Sequence, residues 1–200
     1  SLGCPKNLVD SEVMVGLLDA DDFDVKNPDE PTTVTVINSC SFIEDSKSES
    51  IDPILEVAEN KKKGHCQIIV VAGCLAQRYA EKLPELLPEV DLFIGTGEYH
   101  KLAGLIRHKL AGDKGVTYVE KPEFIPDHLT PRKQSTPFYT KYVKIAEGCS
   151  HRCSFCIIPY LRGDLHSRKP DDIVQEIQQG VNAGVKEFNL VSQDLNEYGR

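Results

Sequence analysis

The chain has 200 residues, enough for one large domain or two small ones. It is 40% hydrophobic and 27% charged, and no run approaches the ~20 apolar residues of a membrane helix, so a helical span is excluded. The net charge of −8 lacks the basic balance of a phosphate-binding surface, which argues against a nucleic-acid binder.

Ser1-Leu2-Gly3-Cys4 reads as the end of a strand, and with no initiator Met the chain is expected to be a fragment cut at both ends. Val34–Ile37 is a β-branched run leading into Asn38-Ser39-Cys40. Phe42 to Lys63 has helical spacing closed by Gly64, with a kink or late start at Pro53. Gln67–Ala72 is a near-continuous apolar strand of the doubly buried kind. Ala76–Leu87 reads as helix interrupted by Pro84, Asp91–Gly95 as strand, and His100–Leu110 as helix ended by Gly112. This alternation predicts a parallel α/β sheet. Residues 113–137 hold four prolines without periodicity and are read as a linker between a domain at 1–112 and another from 138 to 200. The second part opens with strand Tyr142–Ala146, continues with helix Pro170–Ala183, and ends with strand Glu187–Val191.

The seven cysteines stand at 4, 40, 66, 74, 149, 153 and 156. An odd number in a chain this long fits a disulfide framework poorly and points to a reducing, cytoplasmic setting where clustered cysteines mean metal. Cys149, Cys153 and Cys156 lie directly after a strand, where α/β barrels keep their chemistry. A [4Fe–4S] cube takes four ligands, so three leave one iron open to chelate S-adenosylmethionine (SAM). The alternative is a Cys3His zinc site using His151, although His151 reads as an exposed loop residue. Cys4, Cys40 and Cys74 each follow a strand end, and such ends meet at one edge of an open sheet. They either share a second cluster with one open iron or are buried structural thiols. Cys66 precedes its strand, at the opposite edge, and reads as an ordinary thiol. Gly95-Thr96-Gly97 reads as a turn, and Lys61–Lys63 as a solvated helix end. Arg162 and Arg168 face a substrate or a phosphate, or form surface ion pairs.

Ser1–Glu12, Asn38-Ser-Cys40, Ala72-Gly-Cys74, Glu147–Pro159, Leu161-Arg-Gly163, Ser167-Arg168 and Ser192-Gln-Asp194 together resemble the methylthiotransferase family of radical SAM enzymes over the whole chain. The resemblance implies a flavodoxin- or Rossmann-like α/β sandwich followed by the truncated start of a radical SAM partial (βα) barrel. It assigns Cys4, Cys40 and Cys74 to an auxiliary [4Fe–4S] cluster and Cys149, Cys153 and Cys156 to the cluster that chelates SAM. It places Phe155 near the adenine and Ser192, Gln193 and Asp194 against SAM. Cys4-Pro-Lys-Asn and Ser192-Gln-Asp194 differ from the Gln-Met-Asn and Gly-Gln-Asn of the tRNA-modifying branch. They fit the branch that acts on an aspartate β-carbon of ribosomal protein S-12, a basic partner suited to an acidic chain.

The implied chemistry cleaves SAM to a 5′-deoxyadenosyl radical that takes the β-hydrogen. Sulfur comes from the auxiliary cluster and methyl from a second SAM. An electron donor such as flavodoxin or ferredoxin is implied, no membrane is, and contact with nucleic acid would come only through a C-terminal β-barrel not represented here. The piece alone is not expected to be active. The alternatives are a tRNA adenosine methylthiotransferase and a non-catalytic zinc or iron–sulfur scaffold.

Overall fold

The structure is a computed structural model describing residues 2–27, 30–41 and 44–200, with backbone only for 44–47. Its first helix, α1 (Pro5–Ala20), was not foreseen from the sequence. Pro5 sits in its first turn with φ already helical, following an extended Cys4. Where a strand end was expected, Leu2 gives its N–H to Asn38 O at 3.1 Å and the chain turns at Gly3 into α1.

Four parallel strands follow in spatial order: β1 (Val34–Ser39), β2 (Ile68–Gly73), β3 (Leu92–Ile94) and β4 (Thr117–Tyr118). Between them lie α2 (Glu44–Lys62), α3 (Cys74–Tyr79), α4 (Leu83–Leu86) and α5 (Leu102–Leu110), the last entered through a 3-10 turn at Tyr99–Lys101. β2 is buried along its whole length. Ile68, Val70 and Ala72 pack with Val9, Val13, Met14, Leu102 and Ile106 of α1 and α5. Ile69 and Val71 point the other way, to Ile54, Ala58, Leu75 and Leu83 of α2 to α4. Each buried aliphatic side chain stabilises by about 1.5–3 kcal/mol, so this two-faced core holds the sandwich together without help from charges.

Pro53 lies inside α2 and does not delay its start at Glu44. Phe42, the expected first residue, falls outside the described residues. Pro84 divides the expected 76–87 helix, since a proline cannot donate within a helix but fits the first turn of a new one, α4. That helix also starts earlier than expected, at Cys74 itself.

The second part contains β5 (Thr140–Lys144), β6 (Ala146–Glu147), α6 (Ile158–Arg162), β7 (His166–Ser167), α7 (Pro170–Asn182) and β8 (Glu187–Val191). β5 and β8 pair in parallel across α7, the βα unit that begins a barrel, and β6 pairs antiparallel with β7. Val143 and Ile173 form its small core, with Ile177 and Phe188 packed on it.

The segment between the two parts is closely tied down. It supplies β4, then lies across α1. The Glu12 carboxylate, 1% exposed, accepts from Arg132 Nε at 2.8 Å, Ser135 N–H at 2.7 Å and Ser135 Oγ at 2.8 Å. Arg132 also reaches Glu176 of α7 at 3.0 Å. Arg168 is 5% exposed and donates to Asp172 and Glu176, both at 2.6 Å. A surface pair does not describe Arg168, because α7 supplies both acceptors one turn apart and covers it.

At Gly16 of α1 a Cβ would stand 2.5 Å from backbone atoms of Pro131 and Arg132. Backbone cannot swing aside as a side chain can. Gly16→Ala should therefore cost about 1–3 kcal/mol through overpacking, against the small gain a mid-helix alanine normally brings, as read by chemical denaturation.

Burial opposes ionisation of Asp172, but hydrogen bonds from Arg168 and His128 hold its carboxyl down to about 2. Its stabilising effect is complete above the ordinary carboxylate range and is lost as pH falls. The stability difference between wild type and Asp172→Asn should be full at pH 5–7 and shrink between about pH 4 and 2, measured by denaturant titration across that range.

Candidate cluster-binding site

β1 and β2 end in register, Ser39 opposite Gly73, so Cys40 and Cys74 leave adjacent strands at one height. Ser39 Oγ donates to Ala72 O at 2.6 Å and Ser41 Oγ to Cys74 O at 2.9 Å, tying the two exits together. Ser50 Oγ of α2 bonds both the N–H and the carbonyl of Cys40, at 2.9 and 2.8 Å. Cys4 is brought to the same edge by Asn7, whose Nδ2 donates to Leu2 O at 2.8 Å and Ser39 O at 3.0 Å. Gly3 adopts φ +91°, and a Cβ there would lie 2.7 Å from Cys40 Cβ and 2.9 Å from its Sγ. Only glycine permits that approach. Cys40 and Cys74 are buried and Cys4 is half-buried. Cys66 lies at the far end of β2, buried, with Sγ 3.1 Å from Ile68 O.

The second trio lies in the loop after β6. Gly148, at φ +75°, turns the chain beneath Gly163, and Cys149 N–H donates to Gly163 O at 3.0 Å. Cys156 N–H closes a turn onto Cys153 O at 3.0 Å. Cys149 and Cys156 are half-buried and Cys153 is exposed. Phe155 is 90% exposed on this loop.

All seven thiols lack disulfide partners. Among the described residues, the group of three ligand types gathered within 4.8 Å is His151, Asp194 and Glu197. The sulfurs around a tetrahedral zinc, at Zn–S about 2.3 Å, stand only about 3.8 Å apart. Among the described residues neither cysteine trio gathers its three sulfurs within 4.8 Å, wider than such a zinc site requires. His151 Nε2 lies 3.2 Å from Asp194 Oδ2, which turns its ring toward β8 as an ion-pair partner.

Beneath both trios lies a charge cluster that sequence reasoning missed. Lys144 of β5 is 0% exposed, and its ammonium meets Asp10 of α1 and Glu147 at 2.5 Å. Arg162, at the end of α6, donates to Asp10 at 2.6 Å, Glu147 at 3.3 Å and Asn7 Oδ1 at 2.6 Å. Arg162 is 2% exposed, so its ion pairs are buried and not the surface pairs the sequence allowed. The one available signal was Lys144 within an apolar strand, since a charge there needs a buried partner.

Burial pushes the Cys74 thiol up, while the charge of the Arg162 guanidinium opposes that rise. Burial also works against the Arg162 charge, yet Cys74, Asp10 and Glu147 hold it well above the usual guanidinium range. Glu147 resists its own burial through Lys144 and Arg162 and stays well below the usual carboxylate range.

Glu147 Oε1 also accepts from Gln193 Nε2 at 2.6 Å. This leaves Gln193 Oε1 and Ser192 Oγ buried without a partner among the described residues. Two orphaned oxygens beside the three-cysteine loop suit a ligand carrying an ammonium group. Asp194 is committed differently: it accepts from Asn196 N–H at 2.9 Å and pairs with His151.

A parallel sheet edge that carries Cys4, Cys40 and Cys74 thus packs against a βα unit whose loop carries C-x3-C-x2-C. Residues 143–198 match the radical SAM superfamily, and residues 1–95 match uncharacterized protein family UPF0004. The whole chain is 48% identical over 199 residues to the ribosomal protein uS12 methylthiotransferase RimO of Pelobacter propionicus, covering 44% of that protein. It is 48% identical over 200 residues to the RimO of Geotalea uraniireducens, covering 45% of it, and 46% identical over 199 residues to that of Bdellovibrio bacteriovorus, covering 44%. The chain is thus similar along its whole length to methylthiotransferases, and it spans less than half the length of these curated relatives. No helix among the described residues is long and apolar enough to cross a membrane.

Removing one member of a buried ion cluster leaves uncompensated charge, at a cost of about 3–5 kcal/mol. Lys144→Met should lose that much, because Asp10 and Glu147 would then face each other with Arg162 alone between them. The denaturation midpoint in guanidinium measures it.

Proposed function

We propose that this chain provides the cluster-binding parts of a methylthiotransferase that modifies an aspartate β-carbon of ribosomal protein uS12 in the cytoplasm. The observation that carries the reading is the pair of cysteine trios, one gathered at the edge where β1 and β2 end and one in the loop after β6; three ligands would leave a cube one short. The names of the relatives and the acidic balance of residues 1–140, which suits a basic ribosomal partner, support the choice of substrate over a tRNA adenosine. Within this proposal residues 1–112 carry the auxiliary cluster, residues 113–137 link, and residues 138–200 hold the SAM cluster.

Cys4, Cys40 and Cys74 would hold one [4Fe–4S] cluster, and Cys149, Cys153 and Cys156 the other. Such clusters, with SAM, supply one-electron chemistry and sulfur that acid–base side chains cannot provide. The protein's part is placement. Ser192 and Gln193 offer their unpaired oxygens to the SAM ammonium, and Glu147 fixes the Gln193 amide so that its oxygen faces away from that bond. Phe155 presents a ring to the adenine. Asp194, through His151, braces the cysteine loop and borders the same ligand. Flavodoxin or ferredoxin is the proposed class of electron donor.

The full-length protein tests this directly. Anaerobic reconstitution should give about eight irons with matching sulfide per chain; zinc without sulfide would leave only a scaffold. Alanine at Cys149, Cys153 or Cys156 should abolish 5′-deoxyadenosine formation. Alanine at Cys4, Cys40 or Cys74 should leave part of it and stop sulfur insertion. Incubation with uS12 and with tRNA, followed by a search for the methylthio mass increase, separates the two substrates.

A further inference from the structure

We infer that Arg162 is a charge-tuning and positioning residue for the auxiliary cluster, placed from the SAM-cluster side of the molecule against the Cys4–Cys40–Cys74 edge. The inference rests on the function proposed above and extends it to a residue outside both ligand sets.

The geometry is specific. Arg162 ends the helix that follows the second cysteine loop, yet its guanidinium does not remain there. Its Nη2 bonds Asn7 Oδ1 at 2.6 Å, and the other end of that amide donates to Leu2 O and Ser39 O, the residues flanking Gly3-Cys4 and Cys40. The charge of the same guanidinium also acts on Cys74, opposing the rise that burial imposes on its thiol. One cation thus meets the framework of Cys4 and Cys40 through a single amide, while its charge acts on Cys74. α6 is fixed at its own end as well, since Thr96 Oγ1 bonds Leu161 O. Two carboxylates, Asp10 and Glu147, and one ammonium, Lys144, complete the surroundings of Arg162.

A buried cation beside a cluster ligand acts on the electron. Reduction of a [4Fe–4S] cube by dithionite adds one electron and one negative charge to the cluster. A nearby positive charge stabilises the reduced form, so net charge and hydrogen bonds to sulfur set the potential. The low polarity of this buried edge makes the effect larger than it would be in water.

The test isolates the auxiliary cluster by replacing Cys149, Cys153 and Cys156 with alanine in the full-length protein, reconstituting anaerobically, and titrating with dithionite under EPR. In that background Arg162→Met should shift the midpoint downward, and Arg162→Lys, which keeps the charge but loses the fork, should return most of the shift. Asp10→Asn, which removes an opposing negative charge, should shift it upward. A purely structural role would change cluster content in Arg162→Met and Arg162→Lys alike without this ordering by charge. A cluster that forms in the parent and keeps one midpoint through all three variants overturns the inference and leaves the proposed function intact. Absence of any four-iron signal in the parent overturns both. Should Arg162→Met fail to load a cluster, the Lys and Asn variants still decide: unchanged midpoints refute, and opposed shifts support.

Discussion

Five side chains from three distant stretches of sequence, Asn7, Asp10, Lys144, Glu147 and Arg162, meet out of water, and the relation between the two cysteine trios depends on that meeting. Lys144 and Arg162 each contact both Asp10 and Glu147. Two cations alternate with two anions, so no charge is left alone at the center. Such a cluster adds little net stability, because dehydrating four ions offsets most of their attraction. Its value lies in discrimination. A shift of α1 along β5 would strand a charge without a partner, whereas an apolar seam would tolerate sliding. The sandwich core fixes where the first trio sits on its own sheet, and the charge cluster fixes where that sheet sits against the second part.

The same logic explains which elements were legible. β2, α7 and β8 declare themselves through apolar runs or a clean one-sided pattern, and they appear within a residue or so of expectation. α1 does not, because its two sides are both used. Val9, Val13 and Met14 face the sheet, while Asn7, Asp10 and Glu12 are just as buried against residues more than a hundred positions away. Its buried polar positions blur the periodicity that identifies a helix. Arg162 and Arg168 were misread for a related reason. A charged residue looks exposed in sequence until its acceptors are known, and the principal acceptor of Arg162 is 152 positions upstream.

The placement of the cysteines along the sheet was legible because topology does the sorting. Parallel strands in one sheet all end at the same edge, so a cysteine just past a strand end is placed by the strand alone. That rule brought Cys40 and Cys74 together and kept Cys66 away. Cys4 needed more, because no strand precedes it among the described residues. Asn7 stands in for the strand by bonding Ser39 O, and Gly3 removes the Cβ that would hold the loop off Cys40. A one-residue change at either position would alter where Cys4 lies without touching a thiol.

The segment at 113–137 shows why composition misleads about rigidity. Its prolines and missing periodicity exclude helix, and the sequence offers nothing else. Yet β4 extends the sheet, and Glu12 gathers the backbone and side chains of Arg132 and Ser135 while Gly16 lets the strap lie directly on α1. Proline suits this course, since it limits the unfolded alternatives of a path that no regular hydrogen-bond ladder maintains. Arg132 then continues to Glu176 of α7. The strap thus bolts the same two parts together from the flank, and the cation cluster beneath the cysteines bears on a junction that is already held still.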